Sequence, residues 1–271
     1  SMIGTWSSER TGGWRGNVNH PTAGWLCAML ETEPLTLDLN TPLGPISIDS
    51  RSLKPGDTFW ALQGTRDGHE FVFDAFAKGA KLAVVNRTWW ERNAEEARQH
   101  PIVVVDDTRA VLTEAGKAWR ERFTFPVIGI TGTNGKTTTK DLILKLLSLR
   151  FTPGGTKGNL NNDLGVPLTL LDIPLDCDIA VIEMGANHPG EIAQLCKVSQ
   201  PTHGLVTSIG KAHLEGFGNL ETLAHTKGEL YDAVAENGVA FVPTDDELCS
   251  KEAEHNRQKI GYGFQPRPNE R

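Results

Sequence analysis

Apolar residues are spaced in two ways along the first half of the chain, and the two spacings predict strands and helices in alternation. Short β-branched or alternating runs predict strands at Ile46–Ile48, Thr58–Leu62, Leu82–Val85 and Ile102–Val105. Helical spacing occurs at His69–Lys78, with Gly79 as a C-cap, and at Thr108–Phe123. The second of these helices has one apolar face, formed by Val111, Leu112, Ala115 and Trp119.

The second half of the chain repeats this alternation with longer apolar runs. Strands are predicted at Val127–Thr131, Ile179–Met184, Gly204–Ile209, Val239–Val242 and Lys259–Gly263. Helices are predicted at Thr137–Leu149, Pro189–Val198 and Leu220–Asn237. Because these strands are apolar on both faces, they indicate an α/β fold with a mostly parallel sheet that helices cover on both sides.

Breaks in the pattern predict three segments. Residues 1–45 are irregular, with at most one short helix at Ala23–Leu30. Residues 46–125 form a small α/β domain, and Phe125-Pro126 interrupts the pattern before a central domain at residues 126–271.

Composition narrows the class of protein. The 271 residues are 38% hydrophobic and 23% charged, which excludes a disordered chain. A net charge of −7 argues against a nucleic-acid or anionic-membrane binder, although a local basic site for a phosphorylated small molecule stays open. The longest N-terminal apolar stretch, Trp25–Leu30, is far shorter than the ~20 residues of a membrane span, and no signal peptide is apparent.

The cysteines point to a reducing compartment. Cys27, Cys177, Cys196 and Cys249 lie far apart and form no Cys-x-x-Cys pair. This spacing argues against a zinc knuckle or a disulfide framework, so we expect a cytoplasmic protein.

A glycine-rich turn between a strand and a helix carries the strongest chemical pattern. Its residues are Gly132, Thr133, Asn134, Gly135, Lys136, Thr137 and Thr138. Such a turn directs backbone N–H groups at one anion, the lysine reaches the β- and γ-phosphates, and the Thr137 hydroxyl is placed for Mg²⁺. The general pattern has Gly where this chain has Ile130. The alternative is a glycine-rich turn that only caps a helix.

Polar residues at neighbouring strand ends add to this site. Glu183 ends an apolar strand, at the sheet edge where α/β proteins bind ligands, and it can hold Mg²⁺ beside the phosphate loop. The alternative is a surface ion pair. His213 follows Val206–Ile209 and reaches the same edge, although a lone histidine is usually structural. Asn161 and Asn162 suit a substrate or a metal-bound water, and they also suit a turn.

Two segments of the first domain are candidates for binding an anionic substrate. Arg51, beside Ser50, is suited to bidentate phosphate contact. Asp67, Gly68 and His69 form a loop entering a helix, which is a reasonable anion site. The alternative is a solvated turn with an ion-paired Arg51. The pair Trp89-Trp90 fits a half-exposed helix face better than a stacking platform.

Several ordered segments between about residues 46 and 242 resemble the Mur ligase family. Besides the phosphate loop, they are Asp49-Ser50-Arg51, Pro55-Gly56-Asp57, Asp67-Gly68-His69, Gly158–Asn162, Gly165-Val166-Pro167, Glu183–Ala186, Pro189–Ile192, Ala212–Gly218 and Lys227-Gly228-Glu229. Within the family, the segments Asn159–Asn162 and Glu183–Ala186 look most like the type that adds D-alanyl-D-alanine to UDP-N-acetylmuramoyl-tripeptide.

The resemblance implies an ATP-dependent amide ligase of peptidoglycan precursor synthesis that forms an acyl phosphate. It implies UDP binding by the first domain, at Ser50 and Arg51, and ATP binding by the central domain. It also implies two Mg²⁺ sites, the second held by His213, and a CO₂-derived carbamate on Lys227, which falls near the start of its predicted helix. The alternative for Lys227 is an ordinary exposed helix lysine. We expect a monomer.

Two features depart from the family pattern. Residues 1–45 do not resemble a usual start, and family members are much longer, with a third α/β domain after the central one. We therefore expect a shortened form with little or no turnover. Three alternatives stay open: another Mur-type ligase, a folylpolyglutamate-type ligase, or a chain that binds nucleotide and UDP-precursor without catalysis.

Overall fold

The computed structural model describes residues 19–32, 38–210 and 216–263. The chain divides into two compact units, Ser1–Ala115 and Gly116–Arg271. This division falls inside a helix, upstream of the break at Phe125-Pro126 that the sequence predicts as a boundary. The assignment of residues 46–125 and 126–271 to separate functional domains stays a prediction.

The first unit is a small parallel α/β structure. Its strands are β1 (Ile46–Ser47), β2 (Thr58–Trp60), β3 (Leu82–Asn86) and β4 (Ile102–Val105), and its helices are α1 (Ala23–Leu30), α2 (Val72–Ala77), α3 (Arg87–Ala97) and the start of α4 (Thr108–Arg120). The strands lie in the order β1-β2-β3-β4 and all pair in parallel. A short 3-10 helix, Gly68–Phe71, precedes α2. Gly79, just after the end of α2, has a φ of +94°. The predicted strands and helices of this region are confirmed.

Trp89 and Trp90 lie half-buried on α3, as the sequence predicts. Both pack against the core of the first unit, which is built from residues of β2, β3 and the helices around them. Their large apolar rings cover this core at a helix face.

The second unit contains one six-stranded sheet. Its strands are β5 (Val127–Thr131), β6 (Pro153–Gly155), β7 (Ile179–Glu183), β8 (His203–Val206), β9 (Val239–Pro243) and β10 (Lys259–Tyr262). Its helices are α5 (Lys136–Leu147), α6 (Gly165–Asp172), α7 (Glu191–Ser199), α8 (Leu220–Val234) and α9 (Glu247–Glu252). The strand order is β10-β9-β8-β5-β7-β6, and every pair is parallel, as predicted.

Central strand β5 fixes where a ligand can bind. It pairs in parallel with β7 on one side and with β8 on the other, so the strands that follow it in the chain are added first on one side of β5 and then on the other. In open parallel sheets, the crevice at such a change of side lies at the carboxyl ends of the strands. The glycine-rich turn starts at this point, directly after Thr131.

Three elements of the second unit, β6, α6 and α9, are not predicted from the sequence, and each lacks the pattern that identifies such elements. Strand β6 is Pro-Gly-Gly, which has low strand propensity, and a Cβ on Gly155 would lie 2.6 Å from the carbonyl oxygen of Val181. Helix α6 is buried along its length except at Asp172, so it shows no polar face and no helical period. Helix α9 has only six residues.

The second half of α4 is anchored in the second unit. Trp119 Nε1 donates to the carbonyl oxygen of Ile173 at 2.9 Å, and Arg120 Nε donates to that of Ser199 at 2.7 Å. A Cβ on Gly116 would lie 2.7 Å from Pro167 Cα, so α4 and α6 touch backbone to backbone. The predicted apolar face of α4 is buried.

The described helices and the cysteines bear on where the protein can reside. No helix within the described residues has the length and apolar character needed to cross a membrane. All four cysteines are buried and free.

We predict that Gly116→Ala destabilises the second unit, although alanine in a helix interior usually stabilises a protein by about 1 kcal/mol relative to glycine. The added methyl must push α4 away from Pro167, and overpacking of this kind costs about 1–3 kcal/mol. Urea unfolding followed by circular dichroism measures the change. Exposed Lys117 is the control, because Lys117→Ala should change stability by less than about 0.5 kcal/mol. A Gly116→Ala protein as stable as wild type contradicts the backbone contact.

Candidate active site

A cavity of about 440 Å³ opens in the second unit beside the phosphate loop. Its walls come from the loop itself, from segments 161–163 and 185–187, and from helices α7 and α8. Lys136 and Lys227 both line it, although they are far apart in the sequence.

Two glycines shape the phosphate loop. Gly132 has a φ of +145° and Gly135 a φ of +79°, in the region where side chains are strained, and Gly135 serves as the N-cap of α5. Lys136 Nζ donates to the carbonyl oxygen of Gly132 at 2.9 Å. Burial lowers the pKa of Lys136, while the negative charge of Glu183 opposes that shift.

Glu183 lies at the end of β7 and is only 1% exposed. Its backbone N–H donates to Thr156 Oγ1 at 2.9 Å. Its Oε1 accepts from Thr137 Oγ1 at 3.1 Å and from Asn161 Nδ2 at 2.9 Å. Because Glu183 is buried, the alternative of a surface ion pair is ruled out. The hydrogen bond from Thr137 joins its carboxylate to the phosphate loop.

The donor set around Glu183 fits a divalent cation. Its Oε2 is buried without a hydrogen-bond partner among the described residues, and an acceptor left in that state is costly. Thr137 Oγ1 and Glu183 Oε1 are 3.1 Å apart, close to the ~3 Å that separates adjacent oxygens of an octahedral Mg²⁺ site. No cluster of three metal-binding His, Cys, Asp or Glu side chains occurs among the described residues. Phosphate and water oxygens would therefore complete the shell, as is usual for Mg²⁺.

Lys227 lies in the middle of α8 rather than near its start, and only 3% of it is exposed, so it is not an ordinary surface lysine. Its Nζ donates to the carbonyl oxygen of Ala186 at 3.4 Å and lies 5.4 Å from the ring centre of Phe217. Burial, together with the positive charge of Lys136, lowers the pKa of Lys227 to about 8. A much larger share of this amine is therefore neutral near pH 8 than of an exposed lysine.

Asn161 and Asn162 play different parts in the structure. Asn161 lines the cavity and holds Glu183. Asn162 also lines the cavity, but its Oδ1 accepts from Gly165 N at 2.8 Å, which is the turn role that the sequence left open. His213 lies outside the described residues, so its predicted part in the metal site stays a prediction.

The predicted anion-binding residues belong to the first unit, and their side chains are already engaged. Exposed Arg51 forms a bidentate pair with Asp49, at 2.9 Å and 2.6 Å, which matches the alternative of an ion-paired turn. Ser50 is buried.

His69 has a structural environment. It is 2% exposed, its Nδ1 lies 2.6 Å from Asp67 Oδ1, and its Nε2 accepts from Asn86 N at 3.0 Å. Both ring nitrogens are therefore occupied in this conformation, Nδ1 by Asp67 and Nε2 by the N–H of Asn86.

Sequence reasoning missed two buried charged residues at this site. Lys140 is 2% exposed, with Nζ 4.0 Å from Glu183 Oε2 and 3.3 Å from the carbonyl oxygen of Gly158. Its spacing of four from Lys136 places both on one side of α5, so this residue could have been found. Glu229 accepts from Gly190 N and Ala193 N, both at 2.8 Å, at the start of α7, and nothing in the sequence indicated this contact.

Comparisons with known proteins match both units. Residues 44–120 match the model of the Mur ligase family catalytic domain, and residues 130–270 match that of the Mur ligase middle domain. UDP-N-acetylmuramoyl-tripeptide–D-alanyl-D-alanine ligase of Bacillus subtilis is 35% identical over 82% of this chain and 48% of that protein. The Escherichia coli protein of the same name is 40% identical over 75% of this chain and 44% of that protein.

Solved structures of MurF proteins are also similar to this chain. A crystal structure of MurF from Acinetobacter baumannii has a TM-score of 0.75 and 35% identity, covering 92% of this chain and 54% of that one. MurF ligase from Thermotoga maritima in complex with ADP has a TM-score of 0.66 and 33% identity, covering 80% and 50%. The chain thus spans about half the length of the relatives it matches.

We predict that Glu183→Gln weakens cation binding at the phosphate loop by at least about tenfold, because the amide keeps the shape of the side chain but loses its charge. Electron paramagnetic resonance titration with Mn²⁺ in the presence of ADP measures this affinity.

Glu191 supplies the matched control. This carboxylate lines the same cavity, but both its oxygens are engaged by the backbone and ring of His188 and by Asn187 N. Glu191→Gln should leave Mn²⁺ affinity within about twofold of wild type. Equal losses in both variants would place the cation elsewhere.

Proposed function

The chain belongs to the Mur ligase family, and we propose that it provides the precursor-binding and ATP-binding parts of the ligase that adds D-alanyl-D-alanine to UDP-N-acetylmuramoyl-tripeptide. The curated relatives that match it at 35–40% identity carry that name. The observation that carries the proposal is a single cavity lined by Lys136 of the phosphate loop and by the buried amine of Lys227. Asn161 lines the same cavity and donates a hydrogen bond to Glu183.

The proposed reaction joins a carboxylate to an amine at the expense of ATP. An oxygen of the tripeptide carboxylate attacks the γ-phosphorus, the bond to the β-phosphate oxygen breaks, and ADP leaves. The amine of D-alanyl-D-alanine then attacks the acyl carbon of the acyl phosphate, loses a proton, and inorganic phosphate departs. Such chemistry depends on neutralising charge and aligning the reactants.

This chain's residues would supply the alignment and the charge for the first step. The N–H groups of Gly132–Thr138 and the amine of Lys136 bind the β- and γ-phosphates. Thr137 and Glu183 would hold Mg²⁺, which supplies positive charge to the phosphate oxygens. We assign a second Mg²⁺ to His213 and to a carbamate on Lys227.

The remaining assignments concern the substrates. Asn161 and Asn162 line the cavity beside the loop and would contact the tripeptide or a metal-bound water. Ser50, Arg51, Asp67 and His69 are proposed for the UDP group. Arg51 can exchange its exposed partner Asp49 for a diphosphate, whereas His69 would first have to release Asp67 or Asn86. We propose that the protein acts as a monomer in the cytoplasm, where its free cysteines stay reduced.

Binding to the chain itself is the first test of this function. We expect it to bind ADP and ATP with Mg²⁺, and to bind UDP-N-acetylmuramoyl-tripeptide more tightly than the dipeptide precursor, in isothermal titration calorimetry. Preference for the dipeptide precursor or for a folate would favour another ligase of the superfamily.

Turnover is the second part of the test. We expect little phosphate release from this chain alone, and ATP-dependent release once it is joined to the C-terminal part of a full-length relative. Release should require both the tripeptide precursor and D-alanyl-D-alanine. Lys136→Ala in the fusion should reduce it by at least about a hundredfold, since a phosphate-binding charge is lost. A fusion equally active without D-alanyl-D-alanine contradicts the proposed reaction.

We further predict that Lys227 takes up CO₂. Carbamylation needs the neutral amine, and a pKa of about 8 makes half of it neutral at pH 8, against about 0.3% for an ordinary lysine. At constant dissolved CO₂, uptake should rise with pH, and it should set in at a lower pH than for an exposed lysine, because the neutral amine of Lys227 is available at lower pH. Carbon-13 NMR with labelled bicarbonate measures the carbamate signal.

The control separates this site from other lysines. Lys227→Met should remove the signal, whereas Lys197→Met, on the exposed face of α7, should keep it. A signal that persists in Lys227→Met, or that sets in only at the pH at which exposed lysines react, would remove Lys227 from this role.

A further inference from the structure

Thr207 follows β8 and touches the phosphate loop from outside the glycine-rich motif. Its Oγ1 donates to the carbonyl oxygen of Asn134 at 2.6 Å and lies 3.3 Å from that of Thr131. A Cβ on Gly132 would overlap the same hydroxyl. The first half of the loop, residues 131–134, therefore turns around this one side chain.

The contact has a consequence for the direction of the loop's N–H groups. The carbonyl of Asn134 and the N–H of Gly135 belong to one planar trans peptide, so they point in opposite directions. When Thr207 holds that carbonyl, the N–H of Gly135 points away from Thr207. Phosphate loops bind anions because their N–H groups converge while their carbonyls point outward.

Neighbouring residues of the same segment strengthen this hold. Thr133 N donates to the carbonyl oxygen of Ser208 at 2.9 Å, and Gly210 N donates to Thr133 Oγ1 at 3.1 Å. These two contacts fix Thr133, whereas the hydroxyl of Thr207 is what fixes the peptide between Asn134 and Gly135.

We infer that Thr207 is a positioning residue for phosphate binding: its hydroxyl orients the Asn134–Gly135 peptide so that the N–H faces the anion. This role rests on the proposed nucleotide-binding function. Thr207 touches no phosphate in this scheme, and acts only through the loop backbone.

The test replaces the hydroxyl at nearly constant volume. Thr207→Val lacks the donor, and its methyl group cannot approach the Asn134 oxygen as closely as 2.6 Å. Thr207→Ala lacks the donor without that crowding, and Thr207→Ser restores the donor. Calorimetry on the full chain with Mg²⁺ measures the affinity for ADP and for inorganic pyrophosphate, and the thermal midpoint of each variant is recorded.

We expect Thr207→Val and Thr207→Ala to weaken ADP binding about three- to tenfold, which matches the loss of one hydrogen bond. Pyrophosphate affinity should fall by the same factor, because the defect lies at the phosphates. Thr207→Ser should stay within about twofold of wild type.

Three results would overturn the role. They are wild-type affinity in both Thr207→Val and Thr207→Ala, a loss in Thr207→Ser as large as in Thr207→Val, and a loss for ADP without one for pyrophosphate. If one hydroxyl-free variant does not fold, the other decides the outcome. A wild-type chain that binds neither ADP nor pyrophosphate contradicts the proposed function itself, and this role with it.

Discussion

The carboxylate of Glu183 is the charge around which the second unit is arranged. A buried carboxylate is costly unless it is paired and hydrogen-bonded. Each neighbouring element contributes to that compensation: Thr137 from the start of α5, Asn161 from the segment before α6, and the ammonium group of Lys140 at 4.0 Å. Lys140 lies on the Oε2 side of the carboxylate, but Oε2 has no hydrogen-bond partner among the described residues. The negative charge is thus held in place and only partly neutralised, which is the condition that a cation site needs.

Sheet topology explains why residues so distant in sequence meet here. Ile130 pairs with Glu183, and Thr131 pairs with Val206, so β5, β7 and β8 end side by side. The chain leaves these three ends as the phosphate loop, as the segment 184–190 and as the segment that carries Thr207. Helix α8 then adds Lys227 across the cavity, where its amine contacts the carbonyl oxygen of Ala186.

The sequence predicted the features that depend on local pattern. The parallel strands, the glycine-rich turn before α5 and the strand-end position of Glu183 follow from apolar runs and glycine spacing, and all three are confirmed. It missed β6 and α6, because a Pro-Gly-Gly strand and a helix buried on every side lack the periodicity that identifies them. Leu142 and Leu146 of α5 are exposed, so apolar residues at helical spacing do not all lie in the core.

Site contacts were harder to predict because they depend on which loops meet. The loop of Asp67, Gly68 and His69 enters a helix and is predicted as an anion site, and in the structure the two ring nitrogens of His69 contact Asp67 and Asn86. A threonine after a strand carries no pattern at all, yet Thr207 holds the phosphate loop. The contacts of His69 with Asn86 and of Thr207 with Asn134 join segments that are 17 and 73 residues apart, and no local sequence pattern predicts them.

Lys136 shows how such a site can be stable before a ligand arrives. Its half-buried ammonium group would be costly without acceptors, and it donates to the Gly132 carbonyl oxygen of its own loop. A phosphate oxygen is a stronger, charged acceptor, so transfer of the amine from carbonyl to phosphate replaces a weaker hydrogen bond by a charge-assisted one. Because Lys136 is also one of the charges that lower the pKa of Lys227, neutralising it with an anion raises that pKa. The protonation of Lys227 is therefore coupled to whether the phosphate loop holds an anion.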